Sequence, residues 1–149
     1  MPSSTRNNPV ESTEQKVRDN FGRQSFMVTL GAIMTAVGRG KVEIQFPFNS
    51  QLTQQNGFAH AGTITSIMDS ACGYAALTVA PEDCDVLSVE FKANFVAPAL
   101  GERFIARAEV KRAGRTITVS AADAFAVNHG QEKLIATMLA TIMNMPAKK

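Results

Sequence analysis

Between Gly62 and Val79 the residues Ile64, Ile67, Met68, Ala71, Cys72, Ala75, Ala76 and Val79 follow the spacing i, i+3, i+4, i+7 without a break, the pattern of a helix buried along one stripe. The spacing predicts a single amphipathic helix of about five turns over 62–79, closed by Pro81. From Ala71 onward the stripe is made of small side chains, so the partner surface approaches the helix axis closely. A chain that carries such a helix must fold a broad apolar face over it.

The rest of the sequence reads as that face. A first helix is expected over about 13–28, with Ser12 and Gln15 as a capping box and Gly31 as its end. Two strands follow, 32–37 and 41–48, joined by the turn Gly38-Arg39-Gly40. In the second, Val42, Ile44, Phe46 and Phe48 alternate with Lys41, Glu43, Gln45 and Pro47, so one face is core and the other wet. Four more strands are expected at about 85–96, 103–112, 116–127 and 133–144. The first of these alternates Leu87, Val89, Phe91, Ala93 and Phe95 with Ser88, Glu90, Lys92 and Asn94. The expected fold is therefore α+β, an antiparallel sheet wrapped around one long central helix, with an edge strand and an outer face left for something else to cover. Residues 1–11 read as a flexible N-terminal tail and residues 12–149 as a single domain.

Composition removes several function classes. Charged residues make up 19% of the chain, below the roughly 25% of an average soluble domain, which points to surface hidden against another subunit. The net charge is +2 with no basic block, little drive toward nucleic acid. Two cysteines, Cys72 and Cys84, and two histidines, His60 and His129, are too few and too scattered for a metal site or a disulfide framework. The longest apolar stretch, 134–145, is too short to span a bilayer, and Met1 to Gln15 has no signal-like apolar core. The expected setting is a reducing cytoplasm.

Chemistry concentrates around the head of the long helix. The stretch Gln54-Gln55-Asn56-Gly57-Phe58-Ala59-His60-Ala61-Gly62-Thr63 places glycines, amides and a histidine where a helix begins, and the free backbone N–H groups there suit an oxyanion. The same residues also fit a plain turn in which Asn56 and Gly57 serve the bend. Asp69 is the second feature, since Asp is a poor helix-interior residue. It sits one step round from the apolar stripe, among small neighbours that leave room for a ligand, although a solvated Asp reads the same way. His60 and Asp69 are nine residues apart, about 13 Å along a helix and on opposite sides. If both act on one substrate, one of them must come from a second copy of the chain.

The run His60-Ala61-Gly62 followed, after six residues, by Asp69-Ser70-Ala71-Cys72-Gly73-Tyr74-Ala75-Ala76 resembles the His-Gly-Gly…Asp-x-Ala pattern of PaaI-like hotdog-fold acyl-CoA thioesterases. The resemblance extends in element order over 12–145 and includes Leu30-Gly31, the Gly38-Arg39-Gly40 turn and Val89-Glu90-Phe91…Pro98-Ala99-Leu100-Gly101-Glu102. It implies hydrolysis of an acyl-CoA to the free acid and coenzyme A without metal or redox cofactor, in a homodimer or dimer of dimers that shares each site between protomers. Asp69 then takes the position of the family's carboxylate, as general base or as nucleophile. The N–H of Ala61, with Gly62 beside it, takes that of the group polarising the carbonyl, and Ala61 stands where the family has glycine. His60 organises the loop. The asparagine that many relatives carry six residues before the histidine falls on Gln54, with Asn56 and Gly57 close by, and the water-holding serine falls on Ser88, which a polar strand face explains equally well. Coenzyme A carries phosphates, and Arg112 and Arg115 flank the Ala113-Gly114 turn as candidates to meet them. Phe26, Phe58, Tyr74 and Leu77 are candidate acyl-pocket residues, and His129 reads as surface. Two rival functions remain: a hotdog-fold enoyl-thioester hydratase or dehydratase using His60 as proton shuttle, and a non-catalytic acyl-CoA-binding module.

Overall fold

The computed structural model describes residues 9–146 and Lys148. Its elements are α1 (Pro9–Gly22), α2 (Ser25–Leu30), β1 (Ile33–Gly38), β2 (Lys41–Pro47), a 3₁₀ turn at Ser50–Leu52, α3 (Ala61–Leu77), β3 (Cys84–Phe95), β4 (Arg103–Ala113), β5 (Ile117–Asn128) and β6 (Gln131–Pro146). The strands form one antiparallel sheet in the order β1-β2-β4-β5-β6-β3. Helix α3 lies on its inner face, as its stripe requires: Ile64, Ile67, Met68, Ala71, Cys72, Ala75 and Ala76 are all fully buried. Each buried Ile or Met there contributes about 1.5–3 kcal/mol. The sheet answers the helix's small stripe with small residues of its own, among them Ala106, Ala122, Ala124, Ala136 and Ala140. Two alanine-rich surfaces in contact explain how six strands curl around one helix.

The hairpin between β1 and β2 turns through Arg39 and Gly40, with Gly38 paired to Lys41. Gly40 has φ +71°, a conformation that glycine adopts without a Cβ penalty. Its N–H donates to Thr78 Oγ1 at 2.7 Å, and Thr78 in turn donates to the Ala75 carbonyl at 2.7 Å. The hairpin is thereby tied to the last turn of α3.

The structure departs from the sequence-based expectations in four places. The first helix begins at Pro9, so 9–11 belong to it and Ser12 is not its cap; residues 1–8 of the expected tail lie outside the described residues. The single helix expected over 13–28 is two helices: α1 stops at Gly22, a weak helix former, and Gln24 in extended backbone is the N-cap of α2, whose C-cap is Gly31. Phe48 lies past the end of β2 and is exposed. The fourth departure matters most. β3 does not keep one alternation, because its register against β6 shifts between Ser88 and Glu90. A bulge there adds a residue and exchanges the faces. Ser88 pairs with Ile142 and Phe91 with Ala140, both buried positions of β6, so Ser88 and Phe91 share the inner face while Leu87 turns outward beside Met143.

Candidate active site

The loop before α3 is held by its own backbone. Ala59 N–H donates to the Ala99 carbonyl (3.0 Å), His60 N–H to that of Leu52 (2.9 Å) and Gln54 N–H to that of Phe58 (2.9 Å). The Gln54 side-chain oxygen accepts the Asn56 N–H, and Gly57 completes the turn at φ +83°. His60 is the N-cap of α3: its Nδ1 accepts the Gly62 N–H at 2.8 Å. An accepting Nδ1 puts the proton of the neutral ring on Nε2. A Cβ on Gly62 would lie 3.0 Å from that Nδ1, so the absence of a side chain at 62 is what allows the cap. Of the two neighbouring N–H groups, that of Gly62 is spent on His60. Among the described residues the Ala61 N–H has no acceptor, and it stands at the positive end of the helix. It opens into a groove of about 160 Å³ lined by Gln54, Phe58, Ile64, Phe95 and Ile135.

Two turns further along α3, Asp69 faces a different groove, about 360 Å³ in volume, with Asn20, Gln24, Tyr74, Leu77 and Ser88 among its walls. Asp69 is half-buried, and Ser88 Oγ donates to its Oδ1 at 2.7 Å. The bulge in β3 creates this contact by turning Ser88 toward the helix. Cys72, next to it on α3, is fully buried, and burial first and the Asp69 charge second push its thiol up to about 12. It stays protonated and is no nucleophile at physiological pH. Tyr74 is likewise pushed up to about 12, by burial and then by Asp85, against the opposing charge of Arg23. Its hydroxyl donates to Asn20 Oδ1 at 3.1 Å and, at 3.5 Å, toward Gln24 Oε1.

The structure therefore brings Asp69 together with Ser88, and Gln54 together with Ala61, but keeps the two pairs in grooves that share no lining residue. Asn56 and Gly57 are exposed and line neither groove, and Arg112 and Arg115 sit exposed beside the β4–β5 turn, away from both. Of the candidate acyl-pocket residues, Tyr74 and Leu77 line the Asp69 groove, Phe58 lines the Ala61 groove, and Phe26 lines neither. Asn20 and Gln24 were not among the sequence candidates; only the break between α1 and α2 carries Gln24 to the groove. A further depression, about 580 Å³, is on the outer face of β2, β4 and β5 and holds none of the motif residues. Its Arg107 is engaged by Glu43 and by both oxygens of Glu132, all at 2.7 Å, and lies over the Phe125 ring. His129 is exposed in the β5–β6 turn, as expected of a surface residue.

The thioesterase superfamily profile matches residues 56–133, the span that holds the helix cap, α3 and the three strands after it. The chain belongs to the thioesterase superfamily. With its sheet wrapped around α3, this superfamily member has the hotdog fold. It is 52% identical to a thioesterase family protein from Silicibacter pomeroyi, whose crystal structure matches with a TM-score of 0.89 over 91% of this chain and 99% of that one. PaaI of Escherichia coli, from the phenylacetic acid degradation operon, shares the fold at 17% identity, with a TM-score of 0.83 over 95% of this chain and 99% of its own. Among curated relatives, SSO2140 of Saccharolobus solfataricus, an inferred esterase, is 33% identical over 81 residues, which are 54% of this chain and 57% of that protein. The chain thus spans little more than half the length of that relative. A second inferred esterase of the same organism, SSO1253, is 29% identical over 126 residues, 85% of this chain and 81% of that one. No helix of the described residues is long and apolar enough to cross a membrane.

Proposed function

We propose that this superfamily member is an acyl-CoA thioesterase that works as a homo-oligomer, a dimer or dimer of dimers, each site combining Asp69 of one protomer with the Ala61 N–H of another. The observation that carries this reading is the separation of the two grooves. Hydrolysis needs a base and an oxyanion donor on one carbonyl, and a single chain holds them in different places. The β3 edge supports a second copy: Leu87, Val89, Phe91, Phe95 and Val96 are all exposed there, an apolar edge that proteins seldom leave uncovered.

In the proposed reaction the thioester oxygen accepts the Ala61 N–H, and Asp69 takes a proton from water. The water oxygen bonds to the carbonyl carbon, giving a tetrahedral oxyanion. Collapse breaks the C–S bond, and the proton on Asp69 passes to the departing thiolate, leaving acid, thiol and ionised Asp69. Ser88, by donating to Oδ1, leaves Oδ2 for the water. Gln54 lines the same groove as Ala61 and is the better placed of the two amide candidates to orient the carbonyl. Arg112 and Arg115 supply exposed charge for the phosphates of coenzyme A. His60 has its Nδ1 occupied by Gly62, which disfavours a proton-shuttling hydratase. The test is thiol release from short, medium, long and aryl acyl-CoAs by wild type and Asp69→Ala. Equal rates for the two proteins would sink the role of Asp69, and binding without product would turn the reading to a carrier module.

A further inference from the structure

We propose, resting on the thioesterase reading above, that Asn20 and Gln24 are specificity-determining residues that select neutral acyl groups carrying a hydroxyl or keto oxygen. Both amides stand in the wall of the Asp69 groove, half-buried, across from α3. Their oxygens are already engaged from the α3 side. Tyr74 Oη donates to Asn20 Oδ1 at 3.1 Å, and the hydroxyls of Tyr74 and Ser70 both approach Gln24 Oε1, at 3.5 and 3.4 Å. Tyr74 and Ser70 are themselves buried, and a phenol held protonated keeps its role as donor. The amide NH₂ groups then remain, and among the described residues neither has an acceptor. A hydrocarbon chain in this groove leaves those donors unpaired, whereas an acyl oxygen satisfies them.

The groove's charge narrows the class further. Asp69 and Asp85 both line it and no Lys or Arg does; Arg23 acts on Tyr74 from outside the lining. An acyl group ending in a carboxylate meets two like charges, so the oxygen sought is uncharged. Its distance from the thioester is short. Gln24 meets Ser70, the residue after Asp69, and Asn20 meets Tyr74, five residues after it, so the partners of the amides lie within about one and a half helical turns of the carboxylate along α3.

The experiment compares kcat/KM for four six-carbon thioesters of coenzyme A: hexanoyl, 3-hydroxyhexanoyl, 5-hydroxyhexanoyl and adipoyl. Wild type is expected to favour at least one hydroxyacyl ester over hexanoyl by about five- to tenfold and to be slowest on adipoyl. The double variant Asn20→Leu, Gln24→Leu should bring the hydroxyacyl-to-hexanoyl ratio to about one. Tyr74→Phe keeps the ring against Phe21, which it meets edge-on at 5.6 Å, yet frees the amides and should lower the same ratio. Because the readout is a ratio within one protein, partial loss of folded enzyme does not alter it. Equal kcat/KM for hexanoyl and both hydroxyacyl esters in wild type overturns this selectivity alone, as does a double variant whose ratio stays at the wild-type value. Absence of thiol release from all four overturns the thioesterase reading and this one with it.

Discussion

Proline at position 61 would remove one hydrogen-bond donor and very little else. Ala61 is the first residue of α3, and the residue before it, His60, sits at φ −61°, ψ 137°. That is the extended conformation proline requires of its predecessor, and the first helical position is where proline is best tolerated, since its N–H has no intrahelical acceptor. The ring therefore fits the backbone as it stands, and the His60 cap on Gly62 is untouched. If the Ala61 N–H holds the oxyanion, Ala61→Pro should lower kcat by about 10² to 10³, or roughly 3–4 kcal/mol of transition-state stabilisation, with a wild-type melting temperature. Thiol release at saturating acyl-CoA reads the first, and thermal unfolding followed by circular dichroism reads the second. Mixing makes the test sharper. Ala61→Pro and Asp69→Ala are each inactive under this mechanism, but their heterodimer contains one site with both groups intact. A 1:1 mixture, unfolded and refolded together, should recover about a quarter of wild-type activity, because half the dimers are mixed and each of those has one working site of two. Ala61→Pro activity within threefold of wild type, or a folded mixture with no recovery, would refute the shared-site mechanism.

Four further outcomes are expected. Asp69→Asn should cost about 10² to 10⁴ in kcat as the base is lost, whereas Ser88→Ala, which removes only the 2.7 Å donor to Oδ1, should cost far less. Gly62→Ala should loosen the His60 cap, since its Cβ would stand 3.0 Å from Nδ1, and lower stability by about 0.5–2 kcal/mol in urea titrations. Thr78→Ala should cost about 1–3 kcal/mol by leaving the buried Gly40 N–H unpaired; an unchanged urea midpoint would show that the hairpin does not need the tie. Alkaline stability should fall, because the Cys72 thiol ionises near its ordinary value of 9 when unfolded but only near 12 when folded. The unfolded chain thus releases its proton first, so stability is full below about pH 9 and drops as pH rises toward 12. Urea midpoints for wild type should decline over that range, and Cys72→Ala should flatten the decline.

The sequence by itself determined the central helix, because Ile64, Ile67, Met68, Ala71, Cys72 and Ala75 keep the helical period without a break. It also determined that His60 and Asp69 cannot meet within one chain, since rise and rotation along a helix are fixed quantities, and the structure finds Ala61 and Asp69 opening into separate grooves. Other features were decided only when distant segments came together. The alternation of Leu87, Val89, Phe91, Ala93 and Phe95 shows no break in the sequence, yet pairing with β6 inserts a bulge that turns Ser88 inward to Asp69. A bulge is a property of two strands in register and leaves no mark on one of them. The same holds for Gln24, whose place in the groove follows from where α1 stops and from the Tyr74 and Ser70 hydroxyls that meet it, 50 and 46 positions along the chain. Local periodicity is written residue by residue and can be read that way, whereas the pairing of strands and the meeting of polar side chains depend on contacts that form only when the whole chain has closed around its helix.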